Sequence, residues 1–257
     1  MQGQNQQQAY DRGITIFSPD GRLYQVEYAR EAVKRGTASI GVRTEDGVVL
    51  AVDKRIRSPL MERDSVEKIH KADDHIGIAS AGHVADARQL IDFARRRAQV
   101  NELRYGEPIG VETLTKEVTD YIQQYTQVGG ARPFGVALII AGIANGEPKL
   151  YETDPSGTPY EWKALAVGAD RNDIREYLEA NYSDDLDLDG GVRLALEALA
   201  SVNDDELSPE GIGVATIDVD TERFHELTDD EKVAYLEEFE LLASEDESSD
   251  EETADDE

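Results

Sequence analysis

The chain has 257 residues, 39% of them hydrophobic, which is enough for one sizeable domain with a core of its own. It contains no cysteine, so disulfide frameworks, thiolate metal sites and cysteine nucleophiles are excluded. The formal net charge of −29 argues against a phosphate-backbone partner, because such binding relies on Lys and Arg to displace counterions.

The first eight residues, MQGQNQQQ, are polar and carry too little apolar surface to offset the entropy of ordering. No cleavable secretion signal is read there, and a cytoplasmic location is expected. Residues 18–21, Ser-Pro-Asp-Gly, are dense turn chemistry. They lead into an apolar rhythm of Leu23, Val26, Tyr28 or Ala29 and Val33, which predicts a short amphipathic helix ending at Gly36. Residues 37–42 and 48–53 are β-rich runs joined through Glu45-Asp46-Gly47, a hairpin signal, and residues 75–79 read as a further strand. Two helices follow Gly82. Val84, Ala87, Leu90 or Ile91, Ala94 and Ala98 share one face, and Val111, Leu114, Val118, Ile122 and Tyr125 share another.

Residues 135–141, 149–153 and 160–167 read as three strands separated by Gly- and Pro-rich turns. Helices at 171–181 and 191–202, a strand at 211–218 and a last helix near 229–242 complete the pattern. The longest near-continuous apolar run, residues 134–144, is far short of the ~20 residues of a membrane-spanning helix and reads as a buried strand. Strands grouped with strands and helices with helices favour antiparallel sheets covered by helices, a layered α+β sandwich.

Residues 244–257 hold 9 Asp or Glu and no Lys or Arg, and without them the chain still carries −20. At about 1 M salt the screening length falls to roughly 3 Å and most of this self-repulsion disappears, so a salt-loving host is expected.

One candidate active site is visible in the residues themselves. Thr37 follows Gly36, opens a strand and is trailed by Asp53 and Lys68, the groups of an N-terminal threonine hydrolase. That chemistry needs cleavage between Gly36 and Thr37, since an amide nitrogen inside a peptide bond has no basic lone pair. His70, His75, His83 and His225 form no tight metal-binding spacing, so no metal is assigned. Gly129-Gly130 lies in no phosphate-loop pattern and no cofactor is expected.

Residues 10–42, YDRGITIFSPDGRLYQVEYAREAVKRGTASIGV, closely resemble the N-terminal signature of proteasome α subunits, closest to the archaeal form. SVEKI at 65–69, GHVADAR at 82–88 and QQYTQVGGARPFGVALIIAG at 123–142 agree with it. The resemblance implies a four-layer αββα sandwich of the N-terminal nucleophile hydrolase and proteasome type. It implies a non-catalytic subunit of the 20S core that forms a seven-membered end ring with other α subunits and stacks on β subunits holding the threonine active sites. On this reading residues 1–12 are a gate segment, 13–242 the α-type domain and 243–257 an acidic tail with a solvating role, adaptor binding being the alternative.

The resemblance also assigns residues. Tyr10, Asp11, Pro19 and Tyr28 match the cluster that holds the open gate. Lys68 matches the lysine of the pocket between neighbouring subunits that pairs with the C-terminal carboxylate of a hexameric regulatory ATPase, a task suited to a compact charge with three donors. Gly129 and Gly130 match the loop at the channel constriction, although Val128 precedes them where the family pattern can carry Tyr. The alternative is a self-processed threonine hydrolase acting through Thr37.

Overall fold

The structure, a computed structural model, describes residues 17, 21–56, 58, 60–128, 131–203 and 206–243. Its ten strands form two sheets in which every pairing is antiparallel. One sheet contains β1 (Ser39–Arg43), β2 (Gly47–Asp53), β8 (Ala164–Val167), β9 (Ile212–Asp218) and β10 (Arg223–Glu226), in the order β10-β9-β2-β1-β8. The other contains β3 (Ile69–Asp73), β4 (Ile76–Gly82), β5 (Val136–Ala144), β6 (Glu147–Thr153) and β7 (Pro159–Glu161), in sequential order.

Six α-helices are described: α1 (Tyr24–Lys34), α2 (Val84–Tyr105), α3 (Val111–Gln127), α4 (Arg171–Asn181), α5 (Leu188–Ala200) and α6 (Asp229–Glu238). Helices α4 and α5 cover the first sheet, α2 and α3 cover the second, and the bare faces of the two sheets meet in the middle. The result is the four-layer αββα sandwich.

The central strands show why this stack forms. β2, with the sequence GVVLAVD, is buried along nearly its whole length instead of alternating with solvent. Its period-2 geometry sends Val49 and Ala51 to the core under α4 and α5, and Val48, Leu50 and Val52 to the core between the sheets. β5 divides the same way, with Val136, Leu138 and Ile140 facing α2 and α3 and Ala137, Ile139, Ala141 and Ile143 facing the other sheet. Each large aliphatic side chain so buried contributes at most about 1.5–3 kcal/mol. Gly41 is required by this packing, because a Cβ there would lie 2.7 Å from Leu150 Cδ1 and 2.9 Å from Ile139 Cγ2.

The structure departs from the sequence reading in four places. Residues 160–167 are two strands, because the chain passes from one sheet to the other at Trp162 and Lys163: β7 pairs with β6, while β8 pairs with β1. The edge strands β3 and β10 lack a clear alternating pattern and were not expected. The last helix stops at Glu238, after which Leu241 and Ala243 bond back to Leu207. Finally Val84, placed on the buried face of α2 by its spacing, is 67% exposed, while Ala87, Leu90, Ile91, Ala94 and Ala98 are buried as expected.

Candidate functional site

The fold brings Thr37, Asp53 and Lys68 together. Thr37 lies just before β1, Asp53 closes the neighbouring strand β2, and Lys68 precedes β3 at the edge of the facing sheet. Lys68 is 9% exposed and reaches inward between the sheets. Its Nζ donates to Thr37 Oγ1 at 2.6 Å and to the carbonyls of Thr37, Ala38 and Asp53, each at 2.9 Å. The Thr37 hydroxyl in turn donates to the Asp53 carbonyl at 2.7 Å.

Burial pulls the Lys68 ammonium down to about 7, with the Asp53 charge opposing. The four oxygens oppose it too: a neutral amine offers them two N–H groups and the ammonium three, so we read Lys68 as charged. Burial also pushes the Asp53 carboxyl up, against the charges of Lys68 and Arg55.

This arrangement can bind a cation but is poorly set up for nucleophilic attack. The Thr37 proton is given to a carbonyl, which is not a base, and the Thr37 nitrogen is the amide that joins it to Gly36. Three glycines lock that junction. A Cβ on Gly36 would lie 2.3 Å from Gly82 N, and one on Gly168, which has φ +98°, would lie 2.5 Å from the Thr37 carbonyl oxygen. Ala169 N also donates to the Gly36 carbonyl at 2.7 Å.

Immediately upstream, α1 lies over the ends of β4 and β5 with Val26, Ala29 and Val33 buried. Tyr28 is 52% exposed on this helix. Tyr10, Asp11 and Pro19 lie outside the described residues, as do Gly129 and Gly130, so the structure places neither the rest of the gate cluster nor the constriction loop. Lys68 is well away from Tyr28 in sequence, and its ammonium meets the chain just after α1 at Thr37.

An ion pair between a buried carboxylate and a largely exposed guanidinium went unread in the sequence. Asp86, in the first turn of α2, accepts two hydrogen bonds from the Arg132 guanidinium, at 2.6 and 2.7 Å, and one from Gly135 N at 2.8 Å. Burial works to raise the Asp86 carboxyl, but Arg132 and the Gly135 N–H hold it below its ordinary range. This pair fixes the segment that connects α3 to β5, and Gly135 packs against Ala32 of α1. The sequence offered only an acidic residue near a helix start and an arginine 46 positions on.

Among the described residues no group of three or more His, Asp or Glu could hold a metal ion. An open acidic depression of about 440 Å³ is lined by Asp46, Asp187, Asp189, Asp218 and Asp220, as a solvated acidic surface would be.

Two family models match the chain. The N-terminal signature of A-type proteasome subunits covers residues 10–32, and the general proteasome subunit model covers residues 33–217. The chain belongs to the proteasome subunit family. The boundary between the two matched regions falls within α1, so the signature helix and the sandwich are joined through Val33, whose side chain lies in the core between the sheets.

Individual relatives place the chain on the α side of the proteasome family. It is 84% identical over 251 residues to the alpha 1 proteasome subunit of Haloarcula marismortui, covering 98% of this chain and 96% of that one. It is 81% identical over 249 residues to the alpha proteasome subunit of Natronomonas pharaonis, covering 96% and 98%. With the alpha 1 proteasome subunit of Haloferax volcanii the identity is 76% over 252 residues, covering 98% and 100%. The chain is an α-type proteasome subunit of the archaeal kind, and these relatives come from halophilic archaea. No described helix is long and apolar enough to cross a membrane.

Proposed function

We propose that this chain is a structural and gating component of a 20S proteasome and does not itself cleave peptide bonds. Seven copies form the end ring, the ring stacks on β subunits that supply the threonine active sites, and the assembly degrades protein in the cytoplasm. The observation that carries the non-catalytic reading is the committed hydroxyl of Thr37, hydrogen-bonded to a carbonyl and attached through its amide to the glycine-locked end of α1.

In this reading residues 1–12 obstruct the pore, and Tyr10, Asp11, Pro19 and Tyr28 hold the gate when it opens. Gly129 and Gly130 line the constriction, where small residues let seven backbones approach a translocating chain. Residues 243–257 form an acidic tail whose role is solvation. A regulatory ATPase docks its C-terminal carboxylate at Lys68. For that, the ammonium must turn away from at least one of the four oxygens it now serves.

The test is imaging and activity in molar salt. Purified chain should give seven-fold rings by negative-stain microscopy. Deleting residues 2–12 from the assembled core should raise ATPase-independent degradation of an unfolded protein more than cleavage of a tetrapeptide. Rings with no such gain would refute the gating role, and a monomer at all concentrations would refute the assembly.

A second reading has one observation in its favour, the 2.6 Å contact between Lys68 Nζ and Thr37 Oγ1. A self-processed hydrolase would lose everything before Thr37 and expose a new α-amine. Intact mass of the purified particle decides between the two, since the full-length mass excludes processing.

A further inference from the structure

The described salt bridges are mostly between near neighbours on one element or between exposed side chains, which molar salt screens strongly. Arg30 and Asp154 differ from these. They are 124 positions apart and join α1 to the turn after β6 through two parallel hydrogen bonds, Nε to Oδ2 and Nη2 to Oδ1, both 2.9 Å. The third guanidinium nitrogen, Nη1, donates to Glu27 Oε1 one turn earlier on α1 at 2.6 Å. A planar guanidinium held at all three nitrogens has little freedom left.

The carboxylate end is held as firmly. Asp154 Oδ1 also accepts from Ser156 N at 2.8 Å, Gly157 N donates to the Asp154 carbonyl at 2.8 Å, and Asp154 N donates to the Thr158 carbonyl at 3.1 Å. The turn is wedged against α3. Gly157 has φ +83°, and a Cβ on it would lie 2.6 Å from Gln123 Cβ and 2.7 Å from the Thr119 carbonyl oxygen. Arg30 therefore grips a rigid projection of the sandwich, with an Asp154 side chain only 19% exposed.

α1 needs such a grip. Its apolar contribution is three buried residues, Val26, Ala29 and Val33, and no side chain caps its N-terminus at Leu23. We propose that Arg30 and Asp154 are positioning residues that clamp α1 onto the 154–157 turn and so set where the chain before residue 24 leaves the sandwich. This rests on the gating reading, in which that preceding chain is the obstruction.

The experiment uses the complete core with its β subunits in 2 M KCl, carrying Arg30→Gln, Asp154→Asn, both together, and the charge swap Arg30→Asp/Asp154→Arg. Hydrogen exchange across residues 24–34 should speed up in each single variant while residues 76–82 keep the parent rate. ATPase-independent degradation of an unfolded protein should rise about fivefold, the lower end of the range for coupled sites because Arg30 is partly exposed. The double variant should exceed neither single one, as expected when two residues act through one contact, and the swap should return towards the parent. Unchanged exchange over 24–34 in both single variants overturns the clamp, as do single effects that multiply in the double. The cycle decides this even if the swap fails to assemble. Faster exchange with unchanged degradation keeps the clamp and overturns the gating reading beneath it.

Discussion

Replacing Lys68 by alanine removes an ammonium whose four neighbours are all acceptors, three of them backbone carbonyls with no freedom to turn away. The Asp53 carbonyl keeps the Thr37 hydroxyl and the Ala38 carbonyl keeps Asp53 N, so the loss falls on the Thr37 carbonyl and hydroxyl oxygens, and at about 1–3 kcal/mol each, less where water enters, Lys68→Ala should destabilise the chain by about 2–4 kcal/mol. At this chain length that is a fall in Tm of about 5–15 °C. Lys68→Met fills much of the same space without a donor and should lose a similar amount, whereas an unchanged Tm in both would show that the cage holds nothing together. This matters for function, because an ATPase-docking defect in a Lys68 variant is interpretable only at a temperature where the variant ring is intact. Thr37→Ala removes two hydrogen bonds, the one the hydroxyl donates to the Asp53 carbonyl and the one it accepts from Lys68 Nζ, together worth about 2–3 kcal/mol. Peptidase activity of the assembled particle should be unchanged by it, and a large loss with normal assembly would favour the self-processed hydrolase.

Helix α6 shows how an element's end can be tuned by one carboxylate. Thr228 accepts from Glu231 N, and the Glu231 carboxylate accepts from Thr228 N at 2.7 Å and Thr228 Oγ1 at 2.8 Å, a reciprocal capping box. His225 Nε2 lies 2.9 Å from the same carboxylate. The Thr228 backbone N–H first, then His225 and the Thr228 hydroxyl, pull Glu231 down to about 2 from an ordinary value near 4.5. Because the folded value lies below the unfolded one, this contribution is complete above about 4.5 and is lost as pH falls towards about 2. Urea midpoints from pH 5 to pH 2 should therefore fall less steeply for Glu231→Gln than for the parent chain. Parallel curves would mean that the cap does not titrate. The Thr-x-x-Glu pattern of the cap stands in the sequence at 228–231, although no cap was read there. The end of the helix was not legible, because what stops it is the return of Leu241 and Ala243 to Leu207, more than 30 residues earlier.

For the molecule as a whole, a formal charge of −29 sets the solution behaviour. Screening at molar salt should remove most of the self-repulsion, so Tm should rise clearly between 0.1 and 2 M KCl; equal values at the two concentrations would contradict this. The sequence by itself determined the helical stripes of α1 to α3, the presence of α4 and α5, the buried runs of β2 and β5, the hairpin between β1 and β2 and the α-type signature, because each is written in neighbouring residues. It even placed Thr37, Asp53 and Lys68 in one hypothesis, although their common function there, a caged ammonium, depends on carbonyl directions that no side-chain pattern encodes. Tertiary structure alone decided that residues 160–167 divide between two sheets, since β7 pairs with its near neighbour β6 while β8 pairs with β1, far away in the chain. It alone decided that Val84, the first residue of α2, faces out while the rest of that stripe is buried. It also joined Arg30 to Asp154 and Arg132 to Asp86, pairs whose energy depends on burial and on two parallel hydrogen bonds, neither of which exists until the layers have closed.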